Sequence, residues 1–317
     1  MGPWSRPSVR GRRAMTHDRY RRLLASLLLG GSVSVRADGD FGQKVLGTIG
    51  LDAGSQPDAG VYVGDRIINT TAHRLLDRNG KTVPIKGLDM NAFANVFGVS
   101  GTWKFDEGPY VTAALAVPVA TLHLSADQPS IGIDREGLGD IFIEPLKLGW
   151  RLPRVDITTS YSVYAPTGQL NRKGLTQPQW MQQISAGGTV FFDDERAWRF
   201  SALTSYNVYS RKVNMNVTRG DTVQIQGGLG GRFFKLFDVG VAGYGMWQVA
   251  ADSGADLPAA MRGQSEYAVG VGPEVSLLLP LIRSKLTARY EWELAGQSRM
   301  QGEVLVINLA VLGWTPD

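Results

Sequence analysis

Between residues 274 and 293 charged side chains recur at spacings that bring them together. Leu286, Ala288, Tyr290, Trp292 and Leu294 alternate with Thr287, Arg289, Glu291 and Glu293. Such period-2 alternation marks a strand with one apolar and one polar face. With Pro280–Ser284 as a turn, Glu274 on the preceding segment falls roughly opposite Tyr290, beside Arg289 and Glu291. A Glu274–Arg289 cross-strand pair is compatible with that placement. If this polar face lines an aqueous path, the four charges form a constriction that selects solutes. If the interior is narrow, the same charges form an ion network that fills it. Asp89, Asn91 and Arg232 are further candidates for the same lining.

No other chemistry leaves a comparable signature. The 317 residues include no Cys and only three His, which excludes a disulfide scaffold, a thiolate zinc site, a cysteine nucleophile and a His-rich metal site. There is no Gly-x-Ser-x-Gly, His-Glu-x-x-His, P-loop or dinucleotide fingerprint. Beyond the N-terminal region the histidines are His73 and His123, the second at a strand end. No catalytic residue, metal ligand or cofactor is therefore expected. A membrane-embedded hydrolase is the most distant of the readings left.

The formal charge of +4 misleads, because residues 1–37 hold eight Arg and one Asp. The remaining 25 basic and 28 acidic residues are net acidic, so no nucleic-acid partner is implied. Arg19, Arg21 and Arg22 precede the apolar stretch Leu23 to Val35, and Val35-Arg36-Ala37 offers small residues for cleavage. Residues 1–37 thus read as a secretory signal, with Met15 as an alternative start. Residues 38–56 form a short N-terminal segment before the patterned region.

From residue 57 to 314 the chain divides into twelve alternating segments. They lie near 57–69, 83–97, 109–123, 139–151, 155–165, 182–192, 197–210, 222–234, 237–250, 264–279, 285–295 and 302–314. The segment 139–151 changes phase near Pro145, which predicts a bulge. Short connections at 106–108, 152–154, 193–196, 235–236 and 280–284 alternate with longer ones around 70–81, 124–138, 166–181, 211–221, 251–263 and 296–301. Asn171, Arg172, Lys173 and Gly174 occupy one of the longer loops, as solvated residues or as a solute contact.

Aromatic residues flank both kinds of connection. Phe105, Tyr110, Trp150, Phe192, Trp198, Phe234 and Phe237 border the short turns, and Tyr164, Trp180, Tyr209, Trp247, Tyr267 and Trp292 the long loops. Two aromatic girdles, an even strand count and alternating turn lengths predict an all-β, antiparallel, up-and-down transmembrane barrel of about twelve strands. A soluble β-sandwich would bury the apolar faces instead. The expected partners are the lipid bilayer, small-molecule solutes and the barrel-assembly machinery. Oligomeric state stays open.

Gly137-Leu138-Gly139-Asp140, then Pro145-Leu146-Lys147-Leu148-Gly149-Trp150, then Tyr164-Ala165-Pro166-Thr167-Gly168 resembles an outer-membrane barrel family named for the MetA pathway of phenol degradation. Gly220-Asp221, the run Gly240 to Gln248, and Tyr290-Glu291 are similar as well. The resemblance covers roughly residues 57 to 314. It implies a Gram-negative outer-membrane channel that takes up small, often aromatic or hydrophobic compounds, and it supplies no catalytic residues. The tail Thr315-Pro316-Asp317 departs from it, since such barrels commonly end on the aromatic residue, here Trp314. A non-conducting structural barrel is the alternative.

Overall fold

A computed structural model describes residues 45–127, 130–168, 179–213, 215–257 and 262–316. The proposed signal and the stretch Asn171–Gly174 lie outside them. In chain order the strands are β1 (Gly60–Leu76), β2 (Thr82–Val83), β3 (Asp89–Lys104), β4 (Tyr110–Ala126), β5 (Ile131–Leu138), β6 (Ile141–Arg151), β7 (Val155–Ala165), β8 (Met181–Phe191), β9 (Arg199–Tyr209), β10 (Thr222–Phe233), β11 (Phe237–Gln248), β12 (Tyr267–Leu279), β13 (Ser284–Gln297) and β14 (Arg299–Trp314). Twelve of these pair with their neighbours in an antiparallel meander, which β1 and β14 close from Val61↔Trp314 to Leu76↔Arg299. β2 and β5 are short additions on β1 and β4. The result is a closed twelve-stranded barrel.

The distribution of side chains decides between membrane barrel and sandwich. Val63, Phe97, Val99, Leu115, Ile184, Leu229, Val241 and Leu294 are exposed on the outer wall. Arg199, Lys285, Glu144, Gln183, Gln226 and Glu291 are fully buried inside. A water-soluble fold reverses that arrangement, because apolar surface is driven inward and charge outward. Here the apolar face of each strand is the one that lipid covers.

Several expectations are met in detail. The register shifts between Ile143 and Leu146 against β7, and between Thr112 and Ala114 on β4. Pro145 therefore sits in a bulge that switches the inward face from Phe142 and Glu144 to Lys147 and Gly149. The turn after β8 is held by Asp193, whose carboxylate accepts the N–H groups of Ala197 (2.8 Å) and Trp198 (2.7 Å). Those bonds hold its carboxyl below the usual range. Arg196 in the same turn stacks on Phe191, 3.8 Å from ring centroid to guanidinium, and pairs with Asp156.

Other expectations are corrected. The loop foreseen at 296–301 contracts to Ser298, at φ 54°, between β13 and β14. β1 continues past residue 69 to Leu76, and β3 runs from Asp89 to Lys104 rather than from 83 to 97. Phe105, Trp150, Phe192, Trp198, Phe237 and Trp314 at one rim, and Trp180, Trp247 and Trp292 at the other, do face outward. Tyr164 and Tyr209 are not girdle residues. Each shares parity with inward polar neighbours on its strand, and both are buried in the interior. Tyr110 also turns inward, beneath the guanidinium of Arg151 at 4.2 Å.

Candidate functional site

The interior is not empty. Residues 45–58, which precede β1, run inside the barrel as a plug. The Thr48 N–H donates to Gln226 Oε1 (3.1 Å), Leu51 N–H to Glu274 Oε2 (3.0 Å) and Gly54 N–H to Ser201 Oγ (2.8 Å). Ser55 Oγ donates to Asp156 Oδ2 (2.8 Å), and Arg151 bonds the Gln56 carbonyl (2.7 Å) and pairs with Asp58 (2.6 Å). The plug runs as turns, closed by Ala53 N–H to the Gly50 carbonyl and Ser55 N–H to the Asp52 carbonyl (3.0 Å each), and its remaining backbone groups must bond elsewhere. Here the polar faces of β6 to β13 supply the partners.

Small residues in the wall make room for it. Leu51, with no exposed surface, rests against Gly228, Gly230 and Gly240, where any Cβ would come within 2.7–3.0 Å of its Cδ2. Gly47 turns the chain at φ +76°, and a side chain there would strike the Glu291 carboxylate and Val304. These contacts fix the plug's path.

Charge pins it. Asp52 lies between Arg199 (2.9 Å) and Lys285, and Arg199 in turn reaches Asp238 (3.0 Å), which Arg232 also grips at 2.7 and 3.0 Å. Arg199, Lys285 and Asp238 are at most 2% exposed. Three cations and two carboxylates thus share a desolvated space, and one of the carboxylates belongs to the plug. Removing one partner of such a group leaves uncompensated buried charge.

Of the residues singled out from sequence, Glu274, Arg289, Glu291 and Glu293 all face the interior. The pairing is Glu274↔Arg289, one position from the Tyr290 alignment foreseen. Arg289 meets Glu274 at 2.8 Å and donates to the Gly47 carbonyl at 2.9 Å. Glu291 is fully buried, and neither carboxylate oxygen has a hydrogen-bond partner. Glu293 pairs with Arg299 at 3.1 Å. Arg232 is inside too, near the short turns.

Asp89 and Asn91 are not in the lumen. Both share parity with the outward Phe93 and Phe97, because β3 begins at Asp89 and keeps one face outward along its length. Asp89 pairs there with His73 (3.1 Å), and His123 pairs with Asp134 (2.6 Å), all half-exposed or more. Asp52, Arg66, Lys147, Arg199, Asp238 and Lys285 also lie inside the barrel, and no local sequence pattern marks them. Among the described residues no group of three or more His, Asp or Glu could hold a metal ion.

Towards the long-loop end the lining changes character. Phe142, Tyr164, Met181, Tyr209, Tyr244 and Met246 converge with Ile68, Val96, Val304 and Val306 in one apolar cluster inside the barrel, and Leu46 of the plug packs against it. Phe142 and Tyr164 lie 5.1 Å apart at a 50° tilt. A hydrogen-bonded ladder of Gln183, Asn207 and Thr222 crosses the β8–β10 wall beside it. The interior therefore joins an apolar side-chain cluster to a plugged, charge-filled floor.

A closed barrel with apolar exterior, aromatic rims and polar floor defines an outer-membrane β-barrel. The chain belongs to the family described as "Putative MetA-pathway of phenol degradation", whose model matches residues 72–309. Among solved structures it is similar to an outer membrane channel from Pseudomonas putida F1, with TM-score 0.71, 13% identity, and coverage of 82% of this chain and 97% of that one. It is also similar to the β-domain of the Bordetella autotransporter BrkA, with TM-score 0.50, 13% identity, and coverage of 80% and 99%. At such identities the likeness is one of fold. Comparison with curated proteins gives no match.

Proposed function

We propose that the protein is a non-catalytic channel of the Gram-negative outer membrane, which passes small hydrophobic compounds down their gradient without a cofactor. The carrying observation is the apolar, aromatic lining inside the barrel at its long-loop end, which a water-filled pore for polar solutes has no use for. The name of the similar Pseudomonas putida protein, an outer membrane channel, agrees with it. Residues 1–37 act on this reading as a cleaved export signal. The plug makes the described state a closed one, so passage to the short-turn end requires residues 45–58 to shift. A non-conducting structural barrel is the second reading, and the plug's ion pairs are what favours it.

Entry of the fluorescent apolar probe 1-N-phenylnaphthylamine into cells with intact lipopolysaccharide separates the two. Expression of the protein is expected to speed entry several-fold, and Tyr164→Arg, which puts a charge in the apolar cluster, to abolish the gain. An entry rate equal to that of cells lacking the protein would leave only the structural barrel.

The even strand number places both ends of the barrel chain at the short-turn rim, which we assign to the periplasm. Single cysteines in this Cys-free chain report the orientation. A cysteine replacing Asn79, in the β1–β2 turn, is expected to react with an impermeant thiol reagent on whole cells. One replacing Asp194, in the short β8–β9 turn, is not; labelling at 194 alone would reverse the assignment.

A further inference from the structure

Between its two rims the outer wall is mostly apolar. On β10 and β11 that band carries Ile225, Leu229 and Val241, all exposed. On β1 and β3 it carries Asp65, Asn69 and Asn95 instead. Asp65 shares the outward parity of the exposed Val63, and its register partners are the exposed Leu309 of β14 and Phe97 of β3. Asn95 stands between Phe93 and Phe97 on the same face of β3, opposite Ile67, and Asn69 lies opposite Phe93. The patch lies within the span of the wall that lipid covers. Below it Val61 pairs with Trp314 at one rim, and above it Thr71 pairs with Glu303, beside Trp292 at the other. The Oδ1 atoms of Asp65 and Asn95 have no hydrogen-bond partner. Acyl chains offer neither donor nor acceptor, so a carboxyl group and two carboxamides turned towards them stay unsatisfied.

We propose that this patch is the interface with a second copy of the chain, in a dimer whose twofold axis runs along the membrane normal beside β1 and β3. Such an axis keeps every residue at its own depth, so the polar patch of one copy meets that of the other. An isologous interface has to be self-complementary, and this patch is. The Asp65 carboxyl accepts hydrogen bonds and the Asn95 carboxamide donates them. The two are diagonal neighbours on paired strands, since Asp65 lies opposite Phe97 and Asn95 opposite Ile67. Across the axis each Asp65 takes an N–H bond from Asn95 of the partner subunit. Asn69 holds both a donor and an acceptor and so can pair with its own copy. Confinement of the polar groups to one face selects a closed dimer, because a ring needs two different complementary faces on each copy. Phe93, Phe97 and Leu309 surround the polar centre and supply apolar contact. The hydrogen bonds fix depth and orientation, as they do between helices in lipid. This assembly is independent of what the barrel conducts.

Single cysteines in the Cys-free chain test the contact in isolated outer membranes treated with a thiol oxidant. Ile67→Cys and Asn69→Cys are expected to give disulfide-linked dimers on gels, and Ile225→Cys, on the apolar wall of β10, to stay monomeric. Sedimentation of the purified protein in mild detergent measures the dimer's dissociation constant. Asp65→Leu combined with Asn95→Leu is expected to raise that constant by about tenfold or more. Asp65→Asn, which keeps an acceptor at the position, should leave it nearly unchanged. Each variant is first checked for the heat-modifiable gel mobility of a folded barrel, which the outward leucines should not lower. No cross-link from either β1 cysteine, or as much from Ile225→Cys, would overturn the dimer and leave the patch facing lipid. An unchanged dissociation constant in the folded double-leucine variant would overturn the assignment of the interface to these polar groups.

Discussion

Replacing Asp52 with Ala is expected to unseat the plug and convert a closed barrel into an open one. Asp52 carries the plug's contribution to the floor network, held by Arg199 and Lys285. Its loss takes one carboxylate from a group in which Arg199, Arg232 and Lys285 all converge on Asp238. Breaking a buried ion pair by removing one partner costs about 3–5 kcal/mol. The barrel wall keeps all its strand pairings, so the plug is the element that yields. Its departure lets water reach the cations, which lowers the cost further. In planar bilayers the variant should show sustained open-channel current where the parent shows little, and Asp52→Glu should remain closed. Identical current for parent and Asp52→Ala would mean that Asp52 does not hold the plug in place.

The second large effect concerns Arg289. Its side chain joins three elements, because it pairs with Glu274 on β12, sits on β13 and holds the Gly47 carbonyl of the plug. Arg289→Ala strips Glu274 of its ion pair and removes a cation whose charge the buried Glu291 also feels. Two carboxylates that lose a shared cation in a desolvated space destabilise by about 3–5 kcal/mol. The barrel is expected to lose heat resistance, seen as a lower temperature for conversion to the unfolded gel mobility. Ion preference should change little. A shift of selectivity towards cations at unchanged heat resistance would instead put the cluster on an open path. Combined with Asp52→Ala the losses should fall short of additive, since both residues hold the same plug.

How far the sequence could be read depends on the range over which each signal acts. The run Leu286 to Leu294 obeys strict alternation, and β13 forms there with Arg289, Glu291 and Glu293 inside. The Pro145 bulge was legible for the same reason, as proline cannot donate to a ladder. β1 and β3 were less legible. Above residue 69, β1 carries Thr70, Thr71, His73 and Arg74 on both faces, so no apolar face marks its continuation. Asp89 and Asn91 were misplaced because polarity alone was taken for an inward position, whereas at the long-loop rim the outer wall has left the lipid and tolerates charge. The Tyr164 and Tyr209 assignments failed likewise: an aromatic near a strand end fits a girdle or a lumen, and parity decides.

The plug had no local signature at all. Its short stretch around Ile49, Leu51 and Ala53 pairs with no neighbouring strand, and the wall groups that bond residues 47–54 lie 147 to 242 positions away. One indirect signal existed. Gly228, Gly230 and Gly240 all fall on the inward parity of β10 and β11, which is wasteful in a narrow lumen unless something else must fit there.

Those long separations also order events during assembly. The first part of the barrel domain to be made is the last to find its place, because Gly54 waits for Ser201, Leu51 for Glu274 and Gly47 for Arg289. Contacts so distant along the chain form slowly, since the intervening loop must close before they reward it. β1 and β14 face the same delay, being the two ends that must meet. The plug therefore has to enter the growing sheet before that seam is sewn, or thread into a finished cylinder from one of its mouths. In the first case the barrel folds around its own stopper and is never born leaky.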